Sequence, residues 1–177
     1  MMLVGCASVP LEPREHLDPG TGVTLTVVDQ EFVFARSRKD VAANARDYVT
    51  LVPVARNESG RIGLHLIAHR WSTVDARISP RVDASRHRLV IVADGRDVRL
   101  TPIEALSKDF LGAAVRRPPV NDVQTLGYPI DHATLRYLAS SEFLSVSFEL
   151  AEDALPYTLW TDGRPALRRW LQVVPSL

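Results

Sequence analysis

The sequence is poor in the residues that many functional motifs require. It has one cysteine among 177 residues, nine glycines and two lysines. A single cysteine excludes an intramolecular disulfide and a cysteine-based zinc site, so the fold must be stabilised by packing. The glycines form neither of the glycine-rich loops that bind phosphate groups, and no serine has the flanking glycines of a hydrolase nucleophile. The sequence therefore predicts no nucleotide, no metal and no other cofactor.

The charge is balanced, with 21 basic and 21 acidic residues. Nucleic acids and anionic lipid surfaces bind concentrated positive charge, so neither is predicted as a direct partner. The chain also lacks the run of about 18 apolar residues that a membrane-spanning helix needs. Its length and its 46% hydrophobic content are typical of one globular domain, which we expect over residues 22–177.

The cysteine closes a short apolar sequence, Leu3-Val4-Gly5-Cys6. This sequence resembles the lipobox of bacterial lipoproteins, in which a peptidase cuts before the cysteine and lipid is attached to it. The resemblance implies that residues 1–5 are the remnant of a signal peptide, that Cys6 is acylated and that residues 6–21 form a flexible tether. Because an export signal needs about 7 to 15 apolar residues, it also implies that translation starts upstream of Met1. An ordinary free thiol is the alternative for Cys6.

The same resemblance implies a location. A residue other than Asp after the acylated cysteine, here Ala7, favours sorting to the outer membrane. The domain would lie at the periplasmic face of that membrane, with the lipid on Cys6 as its membrane contact. Several acyl chains would hold the protein firmly, because each buried CH₂ contributes about 0.8 kcal/mol.

Most of the body has the pattern of short strands. Alternating or β-branched segments predict strands at 23–28, 31–35, 48–54, 62–68, 87–93, 97–100, 144–150 and 157–160. The first two are expected to form a hairpin, as are the next two, and Asp94-Gly95 predicts a tight turn in a third hairpin. The last two are expected to close the sheet as a further hairpin. Pro53 cannot donate a backbone hydrogen bond, which favours an edge strand or a bulge.

Two helices complete the predicted fold. Asp131 is a suitable cap for a helix that ends near Ser140, and residues 165–174 have an amphipathic spacing. Residues 104–115 could form a further short helix, but Pro118-Pro119 cannot continue one, and the segment 101–127 is expected to be irregular. Seven to nine short strands with few helices predict a mainly β fold, an immunoglobulin-like antiparallel β-sandwich.

The candidate chemistry is sparse. His65 and His69 would lie on one face of a strand about 13 Å apart, at about 3.3 Å per residue, which is too far to share a metal ion. Carboxylates near the strand ends, such as Glu149, are expected to be solvated rather than to form an acid and base pair. The sequence predicts no catalytic residue.

The aromatic and basic residues offer the only candidate contacts. Trp160 lies in an alternating strand and Trp170 on an apolar helical face, so both are expected in the interior. Trp71 is expected to be half exposed. Arg116 and Arg117, followed by two prolines, predict a stiff basic loop that could meet an acidic partner.

We therefore predict a non-enzymatic lipoprotein that acts as an adaptor or accessory subunit of an envelope assembly. Its partner would be an envelope protein that adds a strand at an exposed edge, such as the one expected at Pro53. The alternative is a carbohydrate or peptidoglycan binding module that uses Trp71. A hydrolase with an unrecognised site ranks last.

Overall fold

We describe the fold from a computed structural model, which describes residues 12–74, 88–103, 111, 113–121, 123–149 and 156–175. The signal remnant and Cys6 lie outside these residues, as does most of the segment 104–115. Ten strands and two helices are present: β1 Arg14–Leu17, β2 Thr24–Val27, β3 Phe32–Ser37, β4 Arg46–Glu58, β5 Arg61–Ser72, β6 Leu89–Ala93, β7 Arg96–Leu100, β8 Gln124–Pro129, α1 His132–Ser140, β9 Leu144–Phe148, β10 Tyr157–Thr161 and α2 Arg164–Val173.

The prediction of a mainly β, antiparallel protein with short helices is confirmed. Every strand pair is antiparallel, and hydrogen bonds join all ten strands in one network. The main path runs β1-β2-β4-β3-β10-β9-β6-β7, while β5 pairs with β4 and β8. The described residues thus contain ten strands where the sequence predicted seven to nine.

Three of the predicted hairpins are confirmed. β4 and β5 pair along their full length around a turn at Ser59 and Gly60, both of which have positive φ. β6 and β7 pair around Asp94 and Gly95, again with positive φ, which glycine adopts without strain and Asp tolerates. β9 and β10 also pair as predicted.

Two predictions near the start of the chain are wrong. β2 and β3 do not pair with each other: β2 pairs with β1 and β4, whereas β3 pairs with β4 and β10. The expected tether is also too long, because Arg14–Leu17 within it forms edge strand β1 on β2. Backbone hydrogen bonds to β2 stabilise this segment, although its sequence has little strand character.

The prediction that Pro53 marks an edge strand is wrong as well. β4 is central, with β5 along one side and β3 and β2 sharing the other. β3 pairs with β4 as far as Leu51, and β2 takes over from Val54. Pro53 lies in the gap between these two partners, where a missing N–H leaves no ladder hydrogen bond unmade. Strand addition at Pro53 is therefore excluded.

The sheet curls around its core. The guanidinium of Arg70 on β5 lies 5.7 Å from the ring centre of Phe148 on β9, although three strands separate β5 from β9 in the hydrogen-bonded order. The side chains on the concave side meet the helices, and Leu135 of α1 and Leu167 of α2 line one apolar region with Leu66 of β5. We call this side the inner face and the opposite side the outer face.

The helices are held as the sequence predicts. The Asp131 side chain accepts a hydrogen bond from the Thr134 N–H at 2.7 Å, which caps α1. Trp170 on α2 is fully buried, and its indole N–H donates to the Thr26 carbonyl of β2 at 3.0 Å. The predicted interior position of Trp170 is thus confirmed. Within the described ranges, no helix is both long and apolar enough to cross a membrane.

Candidate binding surface

The outer face of the sheet carries a group of aromatic side chains with one arginine among them. Arg46 and Tyr48 lie on β4, Trp71 on β5 and Trp160 on β10. Strand alternation places Arg46 and Tyr48 on the side opposite the buried Asp47 and Val49. We call these four residues the aromatic face.

Tyr48 and Trp71 form a stacked pair. They are directly opposite in the β4–β5 register, with ring centres 4.2 Å apart and planes 12° from parallel. The indole N–H of Trp71 donates to the hydroxyl of the buried Thr50 at 3.1 Å. Both rings are half-buried, so stacking fixes the pair while leaving part of it open to a partner. The half-exposed position predicted for Trp71 is confirmed.

The predicted interior position of Trp160 is wrong, since this residue is 58% exposed. β10 does alternate, but Tyr157 and Leu159 take its inward positions, so Trp160 lies on the opposite side with the exposed Thr158. The Arg46 guanidinium lies 4.8 Å from the Trp160 ring centre, which is a cation–π distance. One side of this large exposed ring is thus covered by a cation.

Arg46 is held in place through its backbone. Its N–H donates to the Thr73 hydroxyl at 3.0 Å, and its carbonyl accepts from the Thr73 N–H at 3.0 Å. The hydroxyl of Ser72 donates to the same carbonyl at 3.3 Å. The arginine therefore projects from a fixed point at the end of the β4–β5 ladder.

A fourth aromatic side chain lies near this face. Phe143 is 75% exposed and precedes β9. Its N–H donates to the Asp94 carboxylate at 2.8 Å, and its carbonyl accepts from the Asp94 N–H at 3.1 Å. Extending the β9–β10 register by two residues beyond Ser145 and Thr158 places Phe143 opposite Trp160.

The predicted basic loop is exposed. Arg116 is 64% exposed and lies 4.0 Å from the Asp29 carboxylate, at the edge of salt-bridge distance. Arg117 is also exposed, and its charge acts on His69, which shares the outer face with Trp71. Arg116 thus lies near the segment after β2, while contact of either arginine with an acidic partner stays a prediction.

His69 is the buried polar residue of this face. It is 2% exposed, and its Nδ1 lies 2.9 Å from the Thr125 hydroxyl. Burial lowers the pKa of His69 to about 4, and the Arg117 charge acts in the same direction. His69 is therefore neutral near pH 7. His65 lies four residues earlier on the same strand and face, as predicted.

The described residues bring together no recognisable catalytic or metal site. None of their histidine, cysteine and acidic side chains form a group of three that could hold a metal ion. The most buried carboxylate, Asp47, is engaged by Arg36 and Arg38 at 2.9 and 3.2 Å. What the arrangement offers is a binding surface.

Comparisons with protein-family models, curated proteins and solved structures find no match. The chemistry of the aromatic face must therefore be argued from its own residues.

The sequence pattern alone identified only Trp71 of the four residues. Tyr48 could have been found, because a two-residue turn at Ser59-Gly60 fixes the β4–β5 register and sets Tyr48 opposite Trp71. Arg46 then follows as the next residue on the same face of β4. Trp160 could not, since alternation alone does not say which side of β10 is buried, and that depends on pairing with β3, more than 120 residues away.

Proposed function

We propose that this chain is a non-enzymatic binding protein, anchored through an acylated Cys6, whose aromatic face contacts a protein partner in an envelope assembly. One observation carries the proposal: a 58% exposed tryptophan lies under an arginine, beside a stacked Tyr–Trp pair. Tryptophan, tyrosine and arginine are the residues enriched at the energetic centres of protein interfaces. Their fixed geometry also reduces the entropy lost on binding.

A protein partner fits this face better than a sugar. Sugars stack on open aromatic faces, but Tyr48 and Trp71 cover one face of each other's ring and Arg46 covers one face of Trp160. Each of these rings therefore has at most one face left for such stacking. A carbohydrate or peptidoglycan ligand is therefore the second candidate.

The titratable groups of this face favour binding over catalysis. His69 is buried and its pKa of about 4 leaves it uncharged at neutral pH. Its Nδ1 already faces a threonine hydroxyl. A general base needs to reach its substrate and to have a pKa near the working pH, and His69 meets neither requirement.

The proposed anchor would keep the domain near its membrane. β1 begins at Arg14, eight residues after Cys6. Eight residues span at most roughly 28 Å, even when fully extended. The partner would accordingly be another component of the same membrane surface, which we place at the periplasmic side of the outer membrane.

We also propose that the curled sheet corresponds to an immunoglobulin-like sandwich. The approach of Arg70 on β5 to Phe148 on β9 supports two opposed layers of strands. Superposition of an experimental structure on immunoglobulin-like domains tests this assignment, and a continuous barrel would contradict it.

The experiment compares two residues of equal exposure. Trp160 on β10 and Val173 on α2 are both 58% exposed, so neither Trp160→Ala nor Val173→Ala should disturb the core. Full-length wild type and both variants are recovered from detergent-solubilised membranes of the native host, and the co-purified protein is quantified. We expect Trp160→Ala to weaken binding of a stoichiometric partner by about thirtyfold or more, since central aromatic truncations cost about 2 kcal/mol or more. Val173→Ala should retain it.

Equal recovery with both variants would exclude the aromatic face as the contact. The carbohydrate alternative would be supported instead if titration with cell-wall fragments shifted the tryptophan fluorescence of wild type but not that of Trp160→Ala. Mass spectrometry of the native protein tests the anchor separately, and an unmodified Cys6 thiol would disprove it.

A further inference from the structure

We infer that the partner segment bound by the aromatic face presents a carboxylate flanked by apolar side chains, and that Arg46 binds this carboxylate. The inference rests on the proposed function and adds the chemistry of the partner. It comes from the charge, the hydrogen-bonding state and the surroundings of one guanidinium.

Most half-buried arginines among the described residues have a carboxylate partner, and Arg46 has none. Arg70 also lacks one, but its guanidinium lies over the buried Phe148 ring on the inner face. Arg36 and Arg38 share Asp47, and Arg164 pairs with Asp162 at 2.8 Å. In the part of the chain that the structure describes, no carboxylate lies within salt-bridge distance of Arg46, and none lies within that distance of Arg117. The outer face therefore carries positive charge that the described residues do not neutralise.

The hydrogen-bonding edge of Arg46 is also available. The guanidinium lies over Trp160, and only the backbone of Arg46 takes part in hydrogen bonds among the described residues. A guanidinium presents five N–H donors in one plane, a fork that matches the two oxygens of a carboxylate. Stacking on an aromatic ring leaves that edge free, which is why arginine is favoured at such sites.

The neighbouring residues define the rest of the partner. Arg46 has apolar surface around it, from Trp160 and from the Tyr48–Trp71 pair. A fully polar ligand would leave this surface exposed to water. The low polarity of these rings also strengthens a charge-assisted hydrogen bond to Arg46. A short peptide segment with an acidic residue between apolar ones satisfies both requirements.

An anionic lipid surface has related chemistry but is the weaker match. Membrane surfaces attract proteins through the sum of many cationic side chains. This chain has equal numbers of basic and acidic residues. The segment is therefore assigned to a protein, and lipid binding is kept as an outcome of the test.

The experiment uses a displayed library of random 12-residue peptides against the full-length protein. Wild type, Arg46→Glu and Arg169→Glu are selected in parallel. Arg169 is an exposed arginine of α2 and gives the same change of net charge away from the aromatic face. Circular dichroism and thermal melting confirm that the variants fold, and Arg46→Gln provides a second variant without charge reversal.

We expect wild type and Arg169→Glu to enrich peptides with Asp or Glu between apolar residues, and Arg46→Glu to lose this enrichment. A synthetic peptide from the wild-type selection should bind about tenfold more weakly when its acidic residue is changed to the amide, since a hydrogen bond to a charged group is worth about 1.5–3 kcal/mol. Arg46→Gln should bind both forms of the peptide equally.

The carboxylate inference would be overturned if the selected peptides lacked acidic residues and their binding were abolished only by Trp160→Ala. The protein-binding function would then remain intact. Failure to enrich any peptide, or binding only to vesicles that contain phosphatidylglycerol, would overturn both.

Discussion

Replacing Asp47 by asparagine should destabilise the fold by about 3 kcal/mol. The Asp47 side chain is 2% exposed, and one of its oxygens accepts from Arg36 and Arg38, whose side chains are 11% and 18% exposed. Breaking a buried ion pair by removing one partner costs about 3–5 kcal/mol, because a charge is left buried without compensation. We take the lower end, since Arg38 also pairs with the exposed Asp40 at 2.9 Å and keeps that partner.

The assay is urea unfolding followed by tryptophan fluorescence, which reports on the buried Trp170. For a chain of this length, 3 kcal/mol corresponds to a fall in Tm of about 6–12 °C. The double variant Asp47→Leu with Arg36→Met removes both charges of the better-buried pair. It should return to within about 1 kcal/mol of wild type, because apolar replacements avoid the desolvation penalty.

The same pair predicts a pH dependence. Burial opposes the charge on Asp47, but the hydrogen bonds from Arg36 and Arg38 outweigh it, and the pKa of Asp47 lies below its usual 3.8. Its stabilising contribution is therefore complete above about pH 4 and is lost as the pH falls below that value. The Asp47→Asn variant should lack this loss. A destabilisation below about 0.5 kcal/mol at pH 7, or an equal acid sensitivity in both proteins, would refute the reasoning.

Two further predictions concern residues whose surroundings restrict them. His69→Gln should flatten the pH dependence of the unfolding free energy between about pH 6.5 and 4. Wild type loses up to roughly 3 kcal/mol over this range, because the unfolded state takes up a proton while the lowered pKa of folded His69, about 4, keeps it neutral. Urea unfolding at several pH values that gives the same change of unfolding free energy with pH for both proteins would contradict this. Gly163→Ala should cost about 1–3 kcal/mol in thermal unfolding, since an added Cβ would lie 2.8 Å from backbone atoms of Glu31 and Phe32. Gly20→Ala, which meets only the side chain of Asp18, at 3.3 Å, is the matched control, and equal stabilities would argue against close packing at Gly163.

Local sequence signals determined the elements and the short-range pairings. The turn at Ser59-Gly60, the Asp94-Gly95 turn and the Asp131 cap each act within a few residues of the chain. Such signals operate through backbone conformations that only certain residues adopt without strain. Two predictions failed because the true strand partners are not neighbours along the chain. They are the pairing of β2 with β3 and the edge position of Pro53.

The binding surface was predictable only in part. Trp71 stood out because a tryptophan beside an arginine at the end of a strand has no obvious place in a core. Tyr48 lies opposite it through the same register that the turn fixes. Phe143 gave no signal of its own, because its position depends on the carboxylate of Asp94, 49 residues earlier.

The sequence by itself thus determined that the chain forms antiparallel strands and two helices, one of them capped by Asp131, with Trp170 in the core. Alternation and turn chemistry are properties of neighbouring residues, so they can be read without the fold. Only the tertiary structure decided that Trp160 points outward and that Arg46 lies against it. That outcome depends on β3, which pairs with β10 on one side and with β4 on the other and so brings strands distant in sequence into one sheet.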